Sequence, residues 1–420
     1  MTTPFSTLRK EIAGMAVGEL ARRFGTPVFV YDASMIRRRV DDLRRFDYVR
    51  YAQKACSNLA VLALLRRAGA LVDAVSALEI RRALTAGYQT AGDPPPIVYT
   101  ADVFDADSLG LVAAHGIHVN CGSPDMIEQY GAVASGREIT LRINPGFGHG
   151  HSQKTNTGGP QSKHGIWHEQ LGECLATAAR HGLAVTGLHM HIGSGSDLEH
   201  LAQVCGAMEQ AATAVGPSIR TVSVGGGLPV AYRDEDATMD LDEYFGLCDA
   251  MRNRLAGAFG HAVSLEIEPG RYLVAESGFL VTEIRAVKRQ ADNLFYLVDA
   301  GFNNLARPIL YGSYHPISIC PADGSLKRAE VEAIVGGPLC ESGDIFTQNE
   351  GGFVAKRRLP EARVGDWVVI ERAGAYGAVM GSNYNSKPMA PEVLIDGGAA
   401  HLVRRRQTFE ELTAGESIPQ

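Results

Sequence analysis

Between residues 47 and 270 the chain alternates short apolar runs with longer, helix-compatible stretches. The apolar runs lie near 47–55, 71–76, 96–100, 117–122, 139–144, 185–192, 221–225 and 264–268, and their length predicts buried strands. Helix signals punctuate the intervals. Ser57 and Asn58 open one helix, and Ser76 with Glu79 reads as a capping box on a helix that Gly87 closes. Ser123 followed by Pro124 is a cap with proline at the first helical position, with an end expected near Gly131. Eight strand–helix units in sequence predict an α/β fold, the (β/α)8 TIM-type barrel.

From about residue 279 the texture changes. Strand-like runs at 280–287, 294–298, 317–320, 331–335, 367–371 and 393–395 follow one another without helices between them. Asp396-Gly397-Gly398 reads as a hairpin turn. This predicts a second, all-β domain, a β-barrel or sandwich, to which 28–31 adds a strand. The expected division is 32–278 for the barrel, with 1–31 and 279–420 forming the β domain. No flexible linker marks the boundary, so the two are expected to pack together.

Composition narrows the function classes. The 420 residues are 45% hydrophobic and 21% charged, ordinary for a globular protein long enough for two domains. A net charge of -7 and the lack of a basic stripe argue against nucleic acid as a partner. The N-terminus has no signal pattern, and no run of apolar residues is long enough to span a membrane. Seven scattered cysteines without a Cys-x-x-Cys argue against a disulfide framework or structural zinc, and for a reducing cytoplasm.

In such a barrel the chemistry sits at the carboxyl ends of the strands. There the sequence offers Lys54, then Asp73 and Ser76, Arg142 and Asn144, His189 and His191 with Ser194, Gly225-Gly226-Gly227, and Glu266, Glu268, Gly270 and Arg271. A strand-end lysine that is desolvated becomes a nucleophile fit for Schiff-base chemistry, although most such lysines are solvated charges. A glycine triplet exposes backbone N–H groups to a phosphate, or simply makes a tight turn. Glu268 is either an inward functional carboxylate or half of a barrel salt bridge. His191 either stacks on a ring or is a hydrogen-bonded core histidine. Lysine, phosphate cradle and carboxylate together describe a pyridoxal 5'-phosphate site.

Residues 51–58, 191–194, 225–227, 268–271, 340–344 and 375–376, with the runs 142–152 and 382–388, resemble the fold type III pyridoxal phosphate decarboxylases along nearly the whole chain. The resemblance implies a barrel followed by a β domain, and it implies roles. Lys54 would carry the cofactor, with Asp73 nearby and His191 stacked on its ring. Ser194, Gly226, Gly227, Gly270 and Tyr376 would hold the phosphate, with Arg271 beside them, and Glu268 would face the pyridine nitrogen. Arg271, Arg307, Tyr311 and Tyr376 would line the substrate's distal end. Cys340 would be the general acid and Glu341 would contact the distal amino group, both supplied by the partner in a homodimer. Cys56 and Gly381 depart from the commoner asparagine and serine of the family.

A guanidinium paired to a departing carboxylate would stabilise the ground state and oppose its loss. Arg271 and Arg307 therefore make sense only at the far end of a substrate that carries a second carboxylate. That favours meso-2,6-diaminopimelate over ornithine or lysine, with product L-lysine and carbon dioxide; decarboxylation of a related amino acid is the alternative. Two readings of other classes stand beside it. His149-x-His151 and His189-x-His191 could be ligands of a metal hydrolase, the second pair sharing one strand face. A non-catalytic regulatory relative would be expected to lack Lys54 or Cys340, and both are present. No metal is expected.

Overall fold

The computed structural model describes residues 5–148, 156–194, 197–325, 327–349 and 351–419. The chain forms two compact units: Arg37–Val230 with Thr238–Leu273, and Met1–Ile36 with Ala231–Ala237 and Val274–Gln420. The barrel unit is thus slightly narrower than 32–278, and it is interrupted. The strand pattern gives no hint that 231–237 leaves the barrel unit, because the excursion is short and irregular.

Eight parallel strands form the barrel: Tyr48–Ala52, Leu71–Ala74, Ile97–Ala101, His118–Cys121, Glu138–Asn144, Ala184–His189, Thr221–Ser223 and Ser264–Ile267. Each pairs with the next, and Glu266 lies opposite Tyr48 to close the ring. The helices between them follow their caps. The Asn58 side chain accepts from Ala60 N–H before Leu59–Arg67, and Ser123 accepts from Met126 N–H before Pro124–Val133. Ser76 accepts from Glu79 N–H, but the Glu79 carboxylate reaches back to Val75 N–H rather than to Ser76, so only half of the capping box forms. Gly131 does not end its helix. A Cβ there would lie 2.4 Å from the His181 ring, so the glycine serves close packing and the helix runs on to Val133.

The barrel interior holds a buried ion pair. Arg50, on the first strand, puts Nε and Nη2 on one oxygen of Glu266, on the eighth, at 3.0 and 2.7 Å. Its Nη1 donates to Pro95 O at 2.9 Å. Burial raises the Glu266 carboxyl while the charge of Arg50 pulls it back. The mutual attraction of the pair offsets the desolvation of two buried charges.

The second unit is built on one long strand, Gly278–Gln290. Its first part pairs with Val28–Asp32 on one side and Trp367–Ile370 on the other; beyond a bulge at residues 284–286 it pairs with Asn293–Val298. Val28–Asp32 is therefore a central strand, flanked also by Glu392–Asp396 in parallel. Val28 and Val30 point into a core with Val281, Trp367, Val369, Val393 and Ile395, capped by the apolar face of helix Val17–Phe24. Asp396 pairs with Ala399 across Gly397 and Gly398, at φ 57° and 79°. Two consecutive positive φ values are what a tight hairpin matched to strand twist requires. No helix among the described residues is long and apolar enough to cross a membrane.

Candidate active site

The strand ends of the barrel converge on Glu268. This residue follows the eighth strand and is 8% exposed. Its Oε1 accepts from Ser223 Oγ at 2.7 Å, and its Oε2 lies 3.3 Å from His189 Nε2. His189 Nδ1 meets Asn120 Nδ2 at 2.8 Å, and the same amide donates to Thr100 Oγ1 at 3.3 Å. An amide nitrogen only donates, so Nδ1 accepts and the ring proton sits on Nε2, toward the carboxylate. That last contact is close without being aligned as a hydrogen bond. Burial pushes the His189 imidazole well below the usual histidine range, and the charges of Arg142 and Lys54 push the same way. The salt bridge that could have explained Glu268 away belongs instead to Glu266, one layer deeper.

Lys54 does not end the first strand. It sits in the 3-10 turn Gln53–Ala55 directly after it, and in the single chain it is exposed. Asp73 lies on the second strand, level with Ala52, and is 5% exposed. Burial raises its carboxyl well above the usual range, the charge of Glu268 adds to that, and a hydrogen bond with Thr100 opposes it. His191 lies two residues beyond the end of its strand at His189, so the two histidines do not share a strand face. Burial, then Arg142 and Lys54, hold its imidazole well below the usual range. Ser194 is half-buried in the loop that follows. Gly225 and Gly227 have φ of 68° and 100°; a Cβ on Gly226 would stand 2.5 Å from Glu268 O. Side chains are excluded there by geometry, and the backbone is laid bare. Gly270 packs on Ala52, and Arg271 starts the short helix Arg271–Val274.

These residues fit a pyridoxal phosphate. Asp73 Oδ1 and His191 Nδ1 are buried without a hydrogen-bond partner, a bare glycine turn can accept an anion, and an amine stands at the first strand end. Among the described residues no group of three or more His, Cys, Asp or Glu is arranged to hold a metal, and His149 and His151 lie outside those residues.

The other candidates belong to the second unit. Arg307 opens the helix Arg307–Tyr311 and is 6% exposed, whereas Tyr311 at its end is open to solvent. Cys340 is exposed, while the other six cysteines are buried, and all seven are free. Its N–H donates to Asn385 Oδ1 at 2.8 Å, and the neighbouring Glu341 lies 3.5 Å from Tyr384 OH. Tyr376 is held at φ 57°, a left-handed conformation that costs a non-glycine residue about 1 kcal/mol or more. Two residues earlier, Gly374 approaches Val274 O so closely that no Cβ could intervene.

Thr100, Asn120 and Ser223 were not among the residues singled out by sequence. Each is a polar position inside a predicted apolar strand, and that interruption is the signal that marks them.

The chain belongs to the pyridoxal-dependent decarboxylase family: residues 34–275 match its pyridoxal binding domain. Its relatives over nearly the full length include diaminopimelate decarboxylases. Diaminopimelate decarboxylase of Escherichia coli (strain K12) is 55% identical, over 95% of this chain and 96% of the relative. That of Streptomyces coelicolor is 53% identical over 100% of this chain and 96% of the relative. A crystal structure of a diaminopimelate decarboxylase superposes with a TM-score of 0.94 at 53% identity, covering 98% of this chain and 99% of the other.

Proposed function

We propose that this protein decarboxylates meso-2,6-diaminopimelate to L-lysine and carbon dioxide, the last step of lysine biosynthesis, with pyridoxal 5'-phosphate as cofactor. The observation that carries this reading is the likeness to diaminopimelate decarboxylases over 95% or more of the chain, joined to a barrel mouth that contains the amine, carboxylate and glycine turn the cofactor needs.

Bound pyridoxal phosphate supplies an electron-accepting ring that can receive the bond to a departing carboxylate. Lys54 would hold the cofactor through its side-chain amine. Ser194, Gly226, Gly227, Gly270 and Tyr376 would hold its phosphate, and His191 would lie against its ring. Glu268 would face the pyridine nitrogen and favour its protonated form. Ser223, through its hydrogen bond to Oε1, aims the carboxylate. Carbon dioxide leaves from the D centre; the L centre keeps its carboxylate, which Arg271, Arg307 and Tyr311 bind. Cys340 donates the proton that replaces carbon dioxide, and Glu341 contacts the distal amine. Both come from the partner subunit of a cytoplasmic homodimer.

The deciding experiment is carbon dioxide release from meso-, LL- and DD-diaminopimelate, lysine, ornithine and arginine. Turnover confined to the meso isomer is expected, and preference for any substrate lacking the second carboxylate would overturn the assignment. Assembly is tested by mixing inactive Lys54→Ala and Cys340→Ala subunits. Some mixed dimers then hold one intact site, so activity should return. Continued inactivity after confirmed subunit exchange would place Cys340 in its own chain's site.

A further inference from the structure

His315, outside the residues assigned above, holds Arg307 in place. Nη1 of Arg307 donates to Nε2 of His315 at 2.9 Å. An arginine N–H can only donate, so Nε2 must offer its lone pair and the ring proton must sit on Nδ1. Nδ1 duly faces a pure acceptor, the carbonyl oxygen of Glu371, at 2.9 Å. The imidazole is thus fixed as one neutral tautomer by an acceptor on one side and a donor on the other.

The backbone around it is equally fixed. Glu371 N–H donates to Pro316 O, and from there Ile317 pairs with Ile370 in an antiparallel ladder. The Glu371 carboxylate is occupied elsewhere, by Arg9 at 2.8 and 3.0 Å and by Ser318 Oγ at 3.0 Å. The Tyr232 ring stands edge-on to the imidazole, at 5.3 Å and 82°, and the Arg307 guanidinium lies over that same ring at 4.9 Å. His315 is 2% exposed. A neutral acceptor orients a guanidinium without cancelling its charge, and an orientation set in advance lowers the cost of binding an anion.

We infer that His315 is a positioning residue. It fixes the Arg307 guanidinium for the carboxylate at the substrate's L centre, and so helps to decide that the substrate must carry one. The inference rests on Arg307 being the reader of that carboxylate.

The test uses the holoenzyme and two ligands that differ only in that group, L-lysine and 1,5-diaminopentane, with binding measured by calorimetry. His315→Leu removes the acceptor and should weaken L-lysine binding about tenfold, the scale of one hydrogen bond to a charged group. Binding of 1,5-diaminopentane and cofactor content should not change. The KM for diaminopimelate should rise by more than kcat falls. In His315→Gln the amide oxygen can take the place of Nε2 and should restore most of the loss, while the shorter His315→Asn should not. The Gln–Asn contrast reads the same role if the leucine variant does not fold. Equal weakening of both ligands, no weakening, or equal behaviour of Gln and Asn overturns the role. Arg307→Ala separates the two levels. If it fails to abolish the preference for L-lysine, the reading of Arg307 falls and His315 with it. If it abolishes the preference while His315→Leu leaves the preference unchanged, only the role of His315 falls.

Discussion

The barrel mouth and the arginine cluster of the second unit solve the same problem, holding a charged group in a chosen direction, by different means. At the mouth, Thr100, Asn120, His189 and Ser223 each stand near the end of a parallel strand, and Glu268 follows one. The barrel register sets them side by side: Thr100 opposite Asn120, and His189 opposite Ser223. One rule, strand after strand, builds that network. The arginine cluster has no such rule. Arg307 comes from a short helix, His315 from the approach to a strand, Glu371 from just past the end of another, and Tyr232 from the excursion 231–237. What unites them is antiparallel pairing between segments some fifty residues apart, from Ile317 to Ile370. Repetition makes a site that tolerates change in its loops; convergence makes one that depends on every segment arriving.

The contrast can be broken or sharpened, beginning with the largest effect. Lys54→Ala should abolish the covalent adduct that borohydride fixes on the wild-type holoenzyme, read by absorbance and mass; an adduct surviving in the variant would move the amine elsewhere.

Glu266→Gln probes structure at the mouth's base. It leaves Arg50 buried without its counter-charge and should cost about 3–5 kcal/mol of stability in denaturant titration. A near-neutral result would mean that the interior is wetter than the packing implies.

Two layers matter differently, so Glu268→Gln should unfold at nearly the wild-type midpoint and still bind cofactor. Its turnover should fall on the order of a hundredfold, because an amide cannot hold the ring proton. Unchanged turnover would remove Glu268 from the chemistry.

Arg307→Ala should act on choice rather than on rate. Loss of charged hydrogen bonds worth roughly 1.5–3 kcal/mol each should cut kcat/KM for diaminopimelate at least tenfold. The loss should exceed any change in cofactor affinity, and a fall in cofactor content of the same size would erase the distinction between the regions.

The smallest effect concerns Asp73 and pH. Burial and Glu268 raise its carboxyl above the ordinary 3.8. Between that value and the raised one the unfolded chain has lost a proton that the folded chain keeps, so this residue costs stability as pH rises. Asp73→Asn should therefore stabilise the cofactor-free protein more at pH 8 than at pH 4, read as the difference in Tm from wild type. His189 works in the other direction. Its imidazole is held neutral below the usual 6.5, so the stability it contributes above that pH is lost as the pH falls.

The sequence by itself determined what local chemistry controls. Apolar runs alternating with capped helices specified eight strands in order. Gly397-Gly398 specified a hairpin turn, and Lys54, Asp73 and Glu268 stood out as strand-end chemistry because position along a strand is a local property. The tertiary structure decided which partners meet. Glu266 and Glu268 have the same spacing and parity, yet one meets Arg50 and the other Ser223, because height along the barrel depends on the register of the neighbouring strands. Gly131 reads as a helix end but is a packing site, because His181 arrives from the C-terminal cap of the helix Leu171–Arg180. His315 carries no motif; its role depends on Arg307 and Glu371, which only the folded chain brings within 2.9 Å of its two ring nitrogens. Side-chain periodicity is written residue by residue, whereas hydrogen-bond partnership is a relation between segments, and that relation exists only once the segments have packed.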